Sequence, residues 1–264
     1  MPKQLYTNQS VRPKKFWGQH FLHDKNIAQK IVGSLSPETK RVLEIGPGMG
    51  ILTQFLLQKS EIDLKVVEID EESVIFLKHN FPQLSDSILF SDVLQLDFSS
   101  IFDDSFAIIG NFPYNISSQI LFRVFEHEGR ITELVGMFQA EVARRIISPS
   151  GSKDYGILSV LIQTFYEGEY LFTVNEKVFT PPPAVKSGVI RLRHKPNAQL
   201  PCSVDDFTHL VKTAFNQRRK ILRNALSKFQ FIHDENVEAL LQKRAEQLSY
   251  DDFIYLTSSL VKFL

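Results

Sequence analysis

Apolar positions in the first part of the chain follow two alternating rhythms. Short β-branched or apolar runs, VLEI at 42–45, DLKVVEI at 63–69, ILF at 88–90 and FAII at 106–109, suit strands buried in a sheet. Between and after them, LTQFLLQK, ESVIFLKHN and SSQILFRVFEH space apolar residues three and four apart, as a helix with one buried face requires. The alternation predicts an α/β fold: a Rossmann-like, mainly parallel sheet with helices on both faces. Farther on, TELVGMFQ, a helical AEVARRII, the loop SPSGSKDYG and a helical ILSVLIQTF lead to YLFTV and SGVIRLRH, two closing strands. FTPPPAV between them reads as an extended loop, because successive prolines have no N–H to give to a ladder.

KPNAQLPC then breaks the pattern, and a small all-helical C-terminal domain is expected after it, with helices near 204–216, 218–228, 234–247 and 250–263. Ser203 and Ser249 are candidate N-caps, each followed three residues later by an acid. These boundaries divide the chain into residues 1–196 and residues 201–264. The chain shows no internal repeat and no low-complexity segment.

Charge and cysteine content narrow the setting. The single cysteine, Cys202, excludes an intramolecular disulfide, and no apolar stretch approaches membrane-spanning length or a signal peptide core, so a soluble cytoplasmic protein is expected. Formal net charge is zero, yet residues 1–30 carry six Lys/Arg against one acid and residues 186–228 carry ten against two. Basic segments at both ends of an acidic body would form one positive face if the fold joins them.

The first strand runs into Glu44-Ile45-Gly46-Pro47-Gly48-Met49-Gly50 and then a helix. Glycines there let the backbone turn sharply and approach a ligand. The Gly-Lys-Ser/Thr of a P-loop is missing, and a dinucleotide fingerprint would need a glycine where Ile51 stands. Glu68, at the end of the second strand, can accept from both ribose hydroxyls, and Asp92, just past the third, from an adenine amino group. Three acids at successive strand ends define one crevice for an adenosine-bearing ligand without a pyrophosphate; S-adenosylmethionine fits.

After the fourth strand comes GNFPYNIS, residues 110–117. Its NFPY resembles the catalytic motif of methyltransferases that act on amino groups of adenine or cytosine. Such an amine is a poor nucleophile because its lone pair is delocalised into the ring. The Asn111 side-chain carbonyl and the Phe112 backbone carbonyl can hold its hydrogens, Pro113 fixes the geometry, and Tyr114 can stack on the base. The target base must first leave its stack, which favours a loop over a duplex. Trp17 and the Phe112 ring read as packing. Displacement at a sulfonium carbon needs alignment rather than a nucleophilic side chain, and no metal-ligand spacing is present.

KKFWGQHFL, VLEIGPGMG, VVEID, NFPYNISS, VFTPPPAVKSGVIRL and FNQRRKILRNAL occur in the order seen in the ribosomal RNA adenine dimethyltransferase family, and the resemblance covers nearly the whole chain. It implies an S-adenosylmethionine-dependent enzyme of the Rossmann-like class I methyltransferase fold. The expected reaction is dimethylation of two adjacent adenosines in the 3′-terminal hairpin loop of small-subunit ribosomal RNA, within an immature small subunit, by a monomer. It also implies roles: Gln19, His20 and Leu22 in an arm closing over the methionine part of the cofactor; Glu44, Gly46 and Gly48 in the glycine loop; Glu68 at the ribose; Asp92 at the adenine; Asn111 between cofactor and target; Phe179 beside the target base. His20 stands where the family more often has Asn, and Phe112 where it has Leu. Arg218, Arg219, Lys220 and Arg223 are expected to contact RNA phosphates, with Lys186, Lys14, Lys15, Arg144 and Arg145 as further candidates. The same resemblance leaves two competing readings: an Erm-type large-subunit methyltransferase, and a small-subunit assembly factor.

Overall fold

The computed structural model describes residues 11–263, so residues 1–10, including Lys3 of the basic N-terminal segment, lie outside the described residues. An arm ends in strand β1 (Phe21–Leu22) and is followed by helix α1 (Lys25–Val32). Next come β2 (Arg41–Ile45), α2 (Thr53–Leu56), β3 (Asp63–Glu68), α3 (Glu71–Asn80), β4 (Ile88–Phe90), β5 (Phe106–Asn111) and α4 (Ser117–Glu126). The second half contributes β6 (Ile131–Gln139), α5 (Ala140–Ile147), α6 (Ile157–Phe165), β7 (Tyr166–Val174), β8 (Phe179–Thr180) and β9 (Ser187–His194). The tail holds α7 (Val204–Asn216), α8 (Leu222–Ala225), β10 (Phe229–Phe231), α9 (Glu235–Leu241), α10 (Tyr250–Ser258) and β11 (Leu260–Phe263).

Seven strands form one sheet in the order β4-β3-β2-β5-β6-β9-β7. The first five are parallel, and β9 is antiparallel to both β6 and β7. Because successive residues of a strand face opposite sides, the two faces gather different residues. Leu43, Ile45, Val67 and Ile108 join the core under α4 and α6, whereas Val42, Val66, Ala107 and Ile109 join the one under α1 and α2. Chain order reverses between β2 and β5, whose carboxyl ends open a crevice at that switch point. β6 is the strand that TELVGMFQ forms: nearly every residue is buried, so no polar alternation marks it in the sequence.

The tail departs from its all-helical expectation. The helix expected over 250–263 stops at Ser258, and residues 260–263 pair with β10 as a small antiparallel ribbon. Three-residue alternations such as Phe229-Gln230-Phe231 are too short to stand out beside helical spacing. Within 218–228 only Leu222–Ala225 is α-helical, because the Leu222 N–H is donated to the Lys243 carbonyl and Ile221 bridges to Arg244. Both expected caps are present: Ser203 accepts from the Asp206 N–H, and Ser249 and Asp252 form a reciprocal capping box.

The tail does not have a core of its own. Phe207 of α7 is fully buried and stacks on Phe125 of α4 at 6.3 Å, and Phe125 in turn lies 5.5 Å from Phe165 of α6. One contiguous cluster thus runs from the sheet through α4 and α6 into α7, α9 and α10. Phe207→Ala is expected to lower stability by about 3–5 kcal/mol. In urea followed by circular dichroism, the unfolding is expected to remain a single transition for the whole chain.

Candidate functional site

A cavity of about 190 Å³ lies across the carboxyl ends of β2, β3, β4 and β5, with the arm as its outer wall. Its floor is the glycine turn after β2, where Gly46, Gly48 and Gly50 have φ of +66°, +55° and +76°. L-residues resist this conformation, and two of the positions are crowded as well: a Cβ at Gly48 would lie 2.7 Å from the Phe21 ring, and one at Gly50 would overlap Phe81. Gly46 differs, since a Cβ there would meet nothing within 4 Å. At that point bare backbone faces open space, as close approach of a ligand requires.

Glu68 closes β3 and is 5% exposed. Its carboxylate accepts from the N–H groups of Gly48 (3.1 Å), Ile69 (2.9 Å) and Asp70 (3.0 Å), which joins the glycine turn to the start of α3. Burial pushes its pKa up, against those hydrogen bonds. Asp92 sits past β4 on the cavity wall, half-buried, and accepts from the Leu94 N–H at 2.9 Å. Two carboxylates with apolar Val67, Val93 and Leu94 between them suit a ribose and an adenine edge, so the residues present fit the adenosine part of S-adenosylmethionine.

Glu44 is placed differently from the expectation. Its carboxyl is fully enclosed, accepts from the Thr53 hydroxyl at 2.7 Å, and borders a smaller neighbouring cavity rather than the main one. Burial pushes its pKa up to about 8, with Glu68 adding to the rise and Thr53 opposing it.

The catalytic stretch is held from two sides. The Asn111 amide donates from Nδ2 to the His20 carbonyl at 2.9 Å. A carbonyl can only accept, so the amide's NH₂ end must face the arm and its Oδ1 is left for an incoming group. The His20 ring meets the Pro181 carbonyl through Nδ1 at 2.8 Å and lies 5.5 Å from the Tyr114 ring. Tyr114 shares a 2.6 Å hydrogen bond with the hydroxyl of buried Ser187 at the head of β9. Burial raises the pKa of its phenol, with Ser187 pulling the other way, so the hydroxyl stays protonated at neutral pH. The Phe112 ring packs 5.0 Å from Phe138, in space that opens only because residues 110 and 136 are glycine.

Several expected site residues are therefore near the cavity without lining it. Leu22 and Phe179 pair across β1 and β8 and are buried in the core, at 2% and 3% exposure. Phe179 joins the core under α1 and α2 and is not among the residues that line the main cavity, and Leu22 borders the smaller cavity. Trp17, expected as packing, lines the main cavity with the exposed ring of Phe16 4.7 Å away. Gln19, Gly46, Gly48, Glu68, Asp92, Asn111, Pro113 and Tyr114 all line it. Ser187 and Asp70 escaped the sequence reading; the run Asp70-Glu71-Glu72 before a helical pattern is a cap signal, but nothing in it points to the arm.

The cations also separate into two groups. Arg218 donates to the carbonyl of Lys153 at 2.9 Å and Arg223 pairs with Glu238, so both are partly spent on the fold. Arg219, Lys220, Lys186 and Arg144 are exposed, and no ion pair holds them among the described residues. Lys14 pairs with Asp70 and Glu72, which removes it from the free cations, and Arg145 pairs with Glu141. The side chain of Lys15 lies outside the described residues.

The strand order, the antiparallel last hairpin, the glycine turn and the acids at the end of β3 and just past β4 define a Rossmann-like, S-adenosylmethionine-dependent methyltransferase. The chain belongs to the ribosomal RNA adenine dimethylase family, whose model matches residues 11–262. It is 53% identical over 257 residues to the ribosomal RNA small subunit methyltransferase A of Cytophaga hutchinsonii, covering 96% of this chain and 98% of that one. To the protein of the same name from Flavobacterium johnsoniae it is 51% identical over 254 residues, covering 96% and 97%. Among solved structures, a dimethyladenosine transferase from Plasmodium falciparum aligns with a TM-score of 0.74 at 23% identity, over 92% of this chain and 100% of that one. The 23S rRNA methyltransferase ErmE aligns with a TM-score of 0.66 at 23% identity, over 90% and 99%, and shares the fold. Among the described residues no helix is long and apolar enough to cross a membrane, and no cluster of side chains could hold a metal ion.

The enclosed Glu44 sets a pH dependence. Its folded value of about 8 exceeds the ordinary 4.5, so the folded state holds the extra proton and stability falls as pH rises across that interval. Glu44→Gln keeps an acceptor for Thr53 without the ionisable proton. Its melting temperature is expected to gain on the wild type steadily as pH is raised through the interval, as scanning calorimetry at several pH values would show.

Proposed function

We propose that this protein dimethylates the N6 amines of two adjacent adenosines in the 3′-terminal hairpin loop of small-subunit ribosomal RNA. It acts as a monomer on an immature small subunit in the cytoplasm. The observation that carries this reading is the fixed amide of Asn111, whose NH₂ end is occupied by the His20 carbonyl while Oδ1 has no protein partner among the described residues. An acceptor so placed beside a half-buried tyrosine ring suits a flat base bearing an amino group. The small-subunit substrate is supported by relatives that match this chain over almost its full length and bear that name.

Bound S-adenosylmethionine supplies a methyl carbon made electrophilic by its sulfonium, which leaves as a neutral thioether. Asn111 Oδ1 and the Phe112 carbonyl accept the two hydrogens of the amine and draw its lone pair out of conjugation. The Phe112 backbone is steadied by its N–H bond to the Met137 carbonyl at 3.2 Å and by the seated ring. As the new N–C bond forms, the amine proton passes to solvent; with its phenol held protonated, Tyr114 stacks rather than acts as a base. Exposed Arg219, Lys220 and Lys186 contact phosphates and orient the RNA, and the segment 201–264 serves chiefly as its docking surface.

The test is incubation with labelled S-adenosylmethionine and, separately, small subunits lacking the dimethyl marks and free large-subunit RNA, with labelled adenosines mapped by mass spectrometry. Two neighbouring dimethyladenosines in the small-subunit hairpin are expected. Label only in large-subunit RNA would make the protein an Erm-type enzyme, and no label would favour an assembly factor.

At the residue level, Asn111→Ala is expected to cut kcat by about 10²–10³-fold through loss of a preorganised partner. Tyr114→Ala is expected to weaken the RNA-dependent step by about 1–3 kcal/mol and Tyr114→Phe far less, because the ring does the stacking. Single-turnover methylation at saturating cofactor measures both.

A further inference from the structure

Asp70 is the buried charge that the chemistry above leaves without a task. It is 2% exposed, does not line the cavity, and its carboxylate takes donors from two directions. From its own helix it accepts the Glu72 N–H at 3.2 Å and the Ser73 hydroxyl at 3.3 Å, as an N-cap does. From the arm it accepts the Lys14 ammonium and the Gln19 amide, the latter at 3.2 Å. Its own N–H goes to Glu68 at 3.0 Å. Burial works against its ionisation, but the Lys14 and Gln19 hydrogen bonds and the Lys14 charge outweigh it and hold the carboxyl below its usual value.

On the arm side the path continues without a gap. The Gln19 side-chain amide oxygen accepts from the Lys14 backbone N–H at 2.8 Å, and the next residue, His20, presents the backbone carbonyl that fixes Asn111. The acid assigned to the ribose and the amide assigned to the amine are therefore linked through Asp70 and the arm.

The geometry points to Asp70 and Lys14 as positioning residues for methyl transfer, forming a latch that sets the Asn111 amide by docking the arm against the cofactor side of the cavity. This rests on the role proposed for Asn111. Release of the latch withdraws the His20 carbonyl, and the freed amide can turn its NH₂ toward an amine that needs acceptors. The chemical step then suffers even where cofactor and RNA both saturate. Salt weakens a pair whose lysine is 26% exposed, so methylation should be salt-sensitive beyond its RNA-binding component.

The test uses the full chain with Lys14→Met, Asp70→Asn, the double variant and Lys14→Arg. Asparagine keeps the cap acceptor and removes the charge; lysine 14 is partly exposed, so its variants leave the core closed should Asp70→Asn fold poorly. Three quantities are read: hydrogen exchange of residues 16–22, cofactor affinity by calorimetry without RNA, and kcat at saturating cofactor and RNA. The expected result is faster arm exchange and a kcat about 10–100-fold lower in both single variants, the double variant being no worse, with Lys14→Arg close to wild type. Unchanged arm exchange, losses confined to melting temperature, a kcat equal to wild type, or losses that multiply in the double variant would each overturn the latch. A wild-type protein that methylates no RNA would instead overturn the functional reading, and the exchange and affinity measurements would still decide whether the latch holds the arm.

Discussion

The site depends on one buried carboxylate being fully engaged by backbone. Glu68 receives three N–H groups, one from the glycine turn after β2 and two from the turn into α3. An unpartnered acid at that depth would be costly; three donors make it tolerable and in return tie two separate turns to one strand end. The spacing of the glycine floor, the start of α3 and the side chain facing the cavity are then set together. Everything placed afterwards, including the arm that reaches Asp70, is measured from that point.

Much of this was legible in the sequence because strong local signals agreed with one another. The parallel strands, the glycine turn and the position of the acids at 68 and 92 follow from period, turn chemistry and strand ends; the sheet has the expected parallel order, and both acids line the cavity at its edge. The contacts that hold the arm were not legible: Lys14 to Asp70 spans fifty-six positions, and neither residue carries a local mark of its partner. The burial of Phe179 was hidden for a related reason. An aromatic before a proline run looks the same whether it faces a base or a strand, and only its pairing with Leu22 sends it inward. Short strands such as β10 and β11 were hidden because two or three alternating residues compete poorly with helical spacing around them.

Phe112 shows how packing and chemistry share one residue. Its carbonyl is assigned to the amine, while its ring fills a groove that residues 110 and 136 leave open by lacking side chains. The seated ring fixes the backbone that carries the carbonyl. A smaller apolar residue keeps the carbonyl but leaves part of the groove unfilled, so the two glycines and the residue at 112 form one volume-matched set.

The core that runs unbroken from the sheet through Phe125 into Phe207 bears on how such enzymes diverge. Were the tail a separate module, new RNA targets could be acquired by exchanging it whole between relatives. Here a graft would bring an apolar face shaped for different helices, and the recipient's α4 and α6 would have to be recut to receive it. Changing exposed side chains on a retained tail thus disturbs less packing than exchanging the tail whole.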